Sequence, residues 1–327
     1  MTEDRSTITL KELAYNAIAK HSRKIFKREA KVLKDEDPED LHQMRVGMRR
    51  LRSAIAGFTV APDLPSAVTE KNTAKIGSAL GTLRDLDVLL STLQSNYRPL
   101  LPADEQKKLA KVIKSLHKKR KRELKKVRKT LNSKLYLNFK RELRSWLDKP
   151  AYQKIADCSF DLLLPDLLLL QISQLLLHPG WFVGVEITKE QIQRSQILDP
   201  EAIAQILSRE AILLHGLRKT AKKTRYSMEL FDRFYGDTYH QYRDRIEQIQ
   251  EVLGQMQDIH VLSKVLEKAL NSEISAKLPE FYNLLLKTRY NKWLEWQTLQ
   301  EQFLDEQTRT EFRQIIVPKS EVAMTNN

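Results

Sequence analysis

Two blocks of this chain recur at one fixed offset. DLHQMRVGMRRLRSAIAGF (40–58) aligns with LLHGLRKTAKKTRYSMELF (213–231), and LGTLRDLDVLLSTL (80–93) aligns with LGQMQDIHVLSKVL (253–266). In the first pair His42 meets His215, Arg45 meets Arg218, Arg52 meets Arg225 and Phe58 meets Phe231, while Arg49 and Arg50 meet Lys222 and Lys223. In the second pair Leu80, Gly81, Asp85, Val88, Leu89 and Leu93 all recur, and both offsets equal 173 residues. Chance rarely gives two separated blocks the same offset, so the chain reads as a tandem duplication. Its unit is far longer than the repeat of about 20–50 residues that builds a solenoid. An all-α fold is expected, made of two similar helical bundles related by a pseudo-twofold axis, with repeat 1 over 1–150, repeat 2 over 151–317 and a disordered tail over 318–327.

The rest of the sequence agrees with helices. Apolar residues recur at helical spacing in nearly every segment. Glycine and proline together number 20 of 327 residues, too few for a loop-rich all-β fold. Helices are predicted over 7–33, from Asp37-Pro38 to about 58, over 66–96, 103–147, 200–234, 239–271 and 278–312. Asp37-Pro38 and Asp199-Pro200 each combine a capping carboxylate with a proline suited to the first helical position. The run DLLLPDLLLLQISQLLL (161–177) is shorter than the roughly 20 residues that span a bilayer and carries Pro165, Asp166, Gln171 and Gln174. It is expected to be a buried core helix rather than a membrane segment. The irregular stretch HPGWFVGVEI after it is the place for a short extended segment. The single cysteine, Cys158, excludes a disulfide framework and any multi-cysteine metal site, and is expected to be buried. The first residues hold no apolar run, so a cytoplasmic location is expected.

Charge points to a partner. Residues 1–150 hold 35 basic and 18 acidic side chains, whereas 151–327 hold 21 and 24, so the chain's net charge of +14 comes entirely from the first half. Such asymmetry suggests a polyanion: nucleic acid, an acidic surface or a phosphate polymer. On a helical wheel His42, Arg45, Arg49 and Arg52 fall within an arc of about 80°. Leu41, Met44, Met48, Leu51 and Ile55 fill the neighbouring arc, so the stripe borders the core face. Aligned cations on one helix repel one another, and the same stripe recurs as His215, Arg218, Lys222 and Arg225. Either internal acids or a bound polyanion must compensate it. Asp85 and Asp258, each 43 residues after its histidine, are candidate internal partners. A second stripe, Lys107, Lys111, Lys114, Lys118, Lys121, Lys125 and Lys129 with Arg122 beside it, follows one face of the helix at 103–147. It is either a solvated face or an extension of a binding path.

The pair of motifs HQMRVGMRRLR and LGTLRDLDVLL resembles the signature of the CHAD domain family, helical domains named for conserved histidines. HGLRKTAKKTRYSMELF with LGQMQDIHVL is similar to the second half of that pattern, and the resemblance extends over about 5–312. It implies two four-helix bundles about a pseudo-twofold axis, a central basic groove, and non-catalytic binding of inorganic polyphosphate, with cytoplasmic association with polyphosphate granules. Carried over residue by residue, His42, Arg45, Arg49, Arg50 and Arg52 would bind the polymer in one half. His215, Arg218, Lys222, Lys223 and Arg225 would bind it in the other, with Lys114, Lys118, Lys121, Arg122 and Lys125 as an extension. The second copy departs from the first at Thr224 for Leu51, Gln257 for Arg84 and His260 for Asp87. Some family members are fused to a triphosphate tunnel domain, whose E-x-E-x-K strand signature is absent here, so the stand-alone form is expected.

Other chemistries are less well served. A metal at either histidine would face cationic neighbours rather than further ligands. No phosphate-cradling glycine loop or nucleophile arrangement suggests an enzyme, and no cofactor is implied. Nucleic-acid binding remains open, but single-strand binders place stacking aromatics on the cationic face, and these stripes contain none. A scaffold docking an acidic protein is the third reading. Oligomeric state stays open.

Overall fold

A computed structural model describes residues 8–187, 192–194 and 199–317. The tail expected to be disordered lies outside the described residues. Twelve α-helices and one small hairpin make up the described chain, which is therefore all-α in class. The chain divides into two compact units, residues 1–160 with 261–285, and residues 161–260 with 286–327. This is a division by compactness, whereas the repeat boundary at 150 is one of sequence.

The first unit opens with α1 (Leu10–Lys34), α2 (Pro38–Gly57), α3 (Glu70–Ser91), α4 (Ala103–Leu131) and α5 (Lys134–Asp148). α2 packs on α1 and α3, and α3 packs on α4. Asp37 caps α2 by accepting from the Glu39 N–H, with Pro38 in the first turn as the sequence predicts. Gly47 lets α1 come close, since a Cβ there would meet Ile25 Cγ1 at 2.9 Å. Leu41, Met44, Met48, Leu51 and Ile55 are buried, as the wheel predicts. The predicted helix at 103–147 is two helices. Asn132 and Ser133 interrupt it, and the Ser133 hydroxyl caps α5 by accepting from the Tyr136 N–H. Arg120 of α4 bridges Asp35 (2.7 and 2.8 Å) and Asp87 (2.5 Å), tying three segments together, and these carboxylates push its pKa up. Glu105 does more than open α4. It is buried and accepts from the N–H groups of Glu280 and Phe281 at 2.9 and 3.1 Å, capping the start of α11 (Pro279–Leu304) within the same unit. Cys158 is half-buried rather than buried.

The second unit contains α6 (Phe160–Leu176) from its second residue onward, β1 (Val185–Ile187) antiparallel to β2 (Ile192–Arg194), α7 (Pro200–Arg209), α8 (Ala211–Phe231) and α12 (Glu306–Gln314). α9 (Asp237–Leu270) divides between the units after His260 and α11 divides after Leu285, while the one-turn α10 (Ile274–Lys277) belongs to the first unit. Asp199 caps α7 by accepting from the Ala202 N–H. The predicted helix at 200–234 breaks at Glu210, and the one at 278–312 breaks at Asp305, which caps α12. Trp181 stacks on Trp296 and Phe303 with ring centroids 5.3 Å away, and Gln300 donates to the carbonyls of Trp181 and Val183. Gly184 takes φ +71° with the Trp293 ring where a Cβ would stand, so any side chain would be strained there and collide.

α6 differs from its expectation of full burial. Phe160, Leu164, Leu168, Ile172, Leu175 and Leu176 are buried at helical spacing, but Leu162, Leu170 and Leu177 are 69%, 59% and 75% exposed. By length and mean hydropathy, 1.6, the segment Phe160–Phe182 would suffice to cross a bilayer. Its packing uses one face, and Thr224 of α8 and Arg309 of α12 donate to its Gln171 and Leu176 carbonyls.

Candidate functional site

In the first unit α2 presents two basic flanks. His42, Arg45 and Arg49 are half-buried on the stripe beside the core face, and Arg50 is half-buried off it. Arg45 Nη2 lies 3.1 Å from Asp85 Oδ1 on α3, the internal partner the repeat suggests. Arg52 is exposed and donates from Nε and Nη2 to Glu70 Oε1 at 3.0 and 2.8 Å. Partial burial lowers the pKa of His42, and the positive charge of Arg84 lowers it further; Glu39 opposes the shift, while Arg49 and Arg45 add to it. His42 is thus mainly neutral at pH 7, in a field its arginines make positive. On the α1 flank, burial and the charge of Arg50, followed by Lys20 and Lys24, push buried His21 down to about 4. Lys24 is lowered as well, by burial and by Arg50 and Arg28.

In the second unit α8 carries the counterpart. His215 is half-buried and its pKa is lowered by burial, then by Lys219, Arg218 and Lys222. Its Nδ1 and the Nε of Arg218 are buried with no hydrogen-bond partner among the described residues. Lys222 is half-buried and Lys223 exposed. Arg225 stands apart. It is only 8% exposed, pairs with Glu247 and with Glu229 (3.7 Å), and lies 4.8 Å over the Tyr226 ring. Arg52 and Arg225 align in sequence, yet one faces solvent and the other is built into the interior.

Arg84 and Lys219 are the strongest charged influences on His42 and His215, and both escape the repeat comparison, because Gln257 and Val46 stand opposite them. On α4, Lys114, Lys118, Lys121, Arg122 and Lys125 are exposed, without an ion-pair partner among the described residues, while Leu109, Ile113, Leu116, Val127 and Leu131 are buried opposite them. No group of three or more His, Cys, Asp or Glu side chains suited to a metal ion occurs among the described residues.

Each unit therefore holds a histidine-headed cationic stripe on a helix that uses its adjoining face for the core. The sequence profile of the CHAD domain matches residues 16–267. The chain belongs to the CHAD domain family. The fold is similar to the crystal structure of the CHAD domain from the plant Ricinus communis, with a TM-score of 0.59 and 23% identity over 96% of this chain and 93% of that one. It is also similar to PptA from Streptomyces chartreusis, with a TM-score of 0.63 and 12% identity over 91% of this chain and 99% of that one. No curated protein matches the sequence.

Proposed function

We propose that this protein binds inorganic polyphosphate without catalysis, through the stripes of α2 and α8. The reading includes the tandem architecture: two four-helix bundles about a pseudo-twofold axis, both stripes serving one polymer. Family membership supports it. The observation that carries it is the cationic field at the two histidines. Each imidazole is held below its ordinary pKa by burial first and then by three neighbouring cations, and a phosphate chain supplies the anionic oxygens that relieve their field. Arginine meets such oxygens with a planar fork and lysine with a point charge. A neutral imidazole donates one hydrogen bond and, once protonated, two. Arg50 and Lys223 border the stripes. Arg225, already paired with two glutamates, supports α8 structurally in this reading rather than contacting polymer, and Arg84 and Lys219 take their places beside the histidines. Cytoplasmic association with polyphosphate granules is part of the proposal; a membrane is not.

The α4 lysines favour a second reading, a general polyanion surface that would also hold nucleic acid. Against it, Phe58, Tyr226 and Phe231 are buried at 1%, 3% and 1% exposure, so none offers a ring for base stacking. Calorimetric titration at physiological salt decides between the two, with long-chain polyphosphate, tripolyphosphate and single-stranded DNA of matched charge. Tight binding of the long polymer with far weaker DNA binding is the expected result. Comparable binding of DNA would overturn the specific reading.

A further inference from the structure

One glycine recurs in the middle of a helix in both halves, where alanine would make the better helix. Gly81 of α3 follows Arg45 by 36 residues, and Gly254 of α9 follows Arg218 by the same 36. What fills the space of the missing side chain is the same in both. A Cβ on Gly81 would meet Arg45 Nε at 3.4 Å and Nη2 at 3.8 Å, and a Cβ on Gly254 would meet Arg218 Nε at 3.0 Å, Nη2 at 3.2 Å and Cζ at 3.5 Å. At neither position does any backbone or other side chain rank among these nearest atoms. The two glycines thus admit a guanidinium against the bare face of a helix rather than a close helix crossing, unlike Gly47, whose nearest atoms are Ile25 and the backbone of α1.

We infer that Gly81 and Gly254 are positioning residues for the polymer site: each is a notch that seats one stripe arginine with its fork held flat on the neighbouring helix. The inference rests on the polyphosphate reading for its functional consequence, though not for its geometry. In the first unit the seated fork is also held by Asp85, one helical turn beyond Gly81. The contact is tighter at Gly254, so the two positions should differ in sensitivity.

The test compares Gly254→Ala and Gly81→Ala in the full-length protein. An added methyl should leave the thermal midpoint unchanged or raised, because alanine favours the helix and the flexible end of an arginine yields cheaply. G254A should weaken long-chain polyphosphate binding about fivefold, the scale of one misaligned charge-assisted hydrogen bond, and G81A about twofold or less. In an Arg218→Lys background, alanine at 254 should have no further effect, because an ammonium on a narrow stem does not occupy the notch. The side-chain Nε–Hε resonance of Arg218, read by NMR without polymer, should move in G254A while that of Arg45 stays. An unmoved resonance would overturn the inference, as would an equal loss of affinity in the R218K background or a large fall in thermal midpoint. Wild-type protein that binds no polyphosphate would defeat the functional reading alone, because the resonance shift is measured without ligand.

Discussion

Arg52 and Arg225 occupy the same position in the two copies, yet they have different work. Arg52 is exposed and meets a single glutamate, Glu70, itself exposed. Arg225 is buried between Glu247 and Glu229. The aligned residue is the same, and its surroundings differ. Recurrence in sequence therefore marks an aligned position and not a shared contact. The stripes agree at the histidine and at the arginine one turn later, and part company towards their C-terminal ends.

The largest effect expected from this contrast concerns the shared part. Arg45→Ala combined with Arg49→Ala should weaken polyphosphate binding about 30- to 1,000-fold, since two charge-assisted contacts of roughly 1–2 kcal/mol each are lost. Replacing two α4 lysines, Lys118 and Lys125, should cost only a few-fold. Calorimetry on the two double variants gives the comparison, and equal losses would show non-specific electrostatics instead of a defined site.

The divergent part should answer in stability. Arg225→Ala removes one partner of a largely buried ion pair. Because Glu247 is partly exposed, the expected loss is about 2 kcal/mol, below the roughly 3–5 kcal/mol of a fully buried pair. Arg52→Ala should change stability by about 0.5 kcal/mol or less, as exposed pairs do. Urea unfolding of both variants measures the difference. Similar values would mean that the second copy has not recruited its arginine into the fold.

The sequence discloses local causes better than distant ones. Asp37-Pro38 and Asp199-Pro200 start helices where their chemistry says they should, because a cap acts within three residues. The interruptions at Ser133, Glu210 and Asp305 are missed because apolar periodicity continues across them, although Ser133 and Asp305 carry cap chemistry of the same local kind. In α6 every leucine looks alike in sequence, and tertiary contact alone decides that Leu168 is covered and Leu170 is not. Arg84 and Lys219 are missed for a different reason. A search for what recurs discards whatever one copy holds alone, and each of these cations has a neutral residue opposite it.

Acidity should separate folding from binding. Buried His21 has a pKa near 4 in the folded chain against 6.5 when unfolded, so below pH 6.5 the unfolded chain takes the proton first. Stability should therefore fall as pH drops from about 6.5 to 4. For His42 and His215 the folded protein without ligand also has a lowered pKa, but a bound phosphate chain favours the charged imidazole and raises it. Binding then takes up protons, and affinity should rise as pH falls below neutrality. His42→Gln with His215→Gln should flatten the rise while leaving the acid loss of stability in place. Titrations in buffers of different ionisation enthalpy would count the protons, and no uptake on binding would exclude both histidines from contact with the polymer.

The smallest effect separates the stripes from α4 by salt. Every phosphate neutralised by a cation releases counterions, so affinity for a charged polymer falls as salt rises, with a slope set by the number of contacts. The α4 lysines are exposed along one face and have no ion-pair partner among the described residues, so their contribution should be almost wholly of this kind. Lys118→Gln with Lys125→Gln should reduce the salt slope by about two, if each lysine answers one phosphate. The preference for long polyphosphate over DNA of equal charge should stay unchanged. Arg45→Ala should do the reverse and lower the preference more than the slope, because its fork is held against Gly81 and Asp85 in one geometry rather than free in solvent. A variant of α4 that altered the preference as much as the slope would move the specific site from α2 to α4.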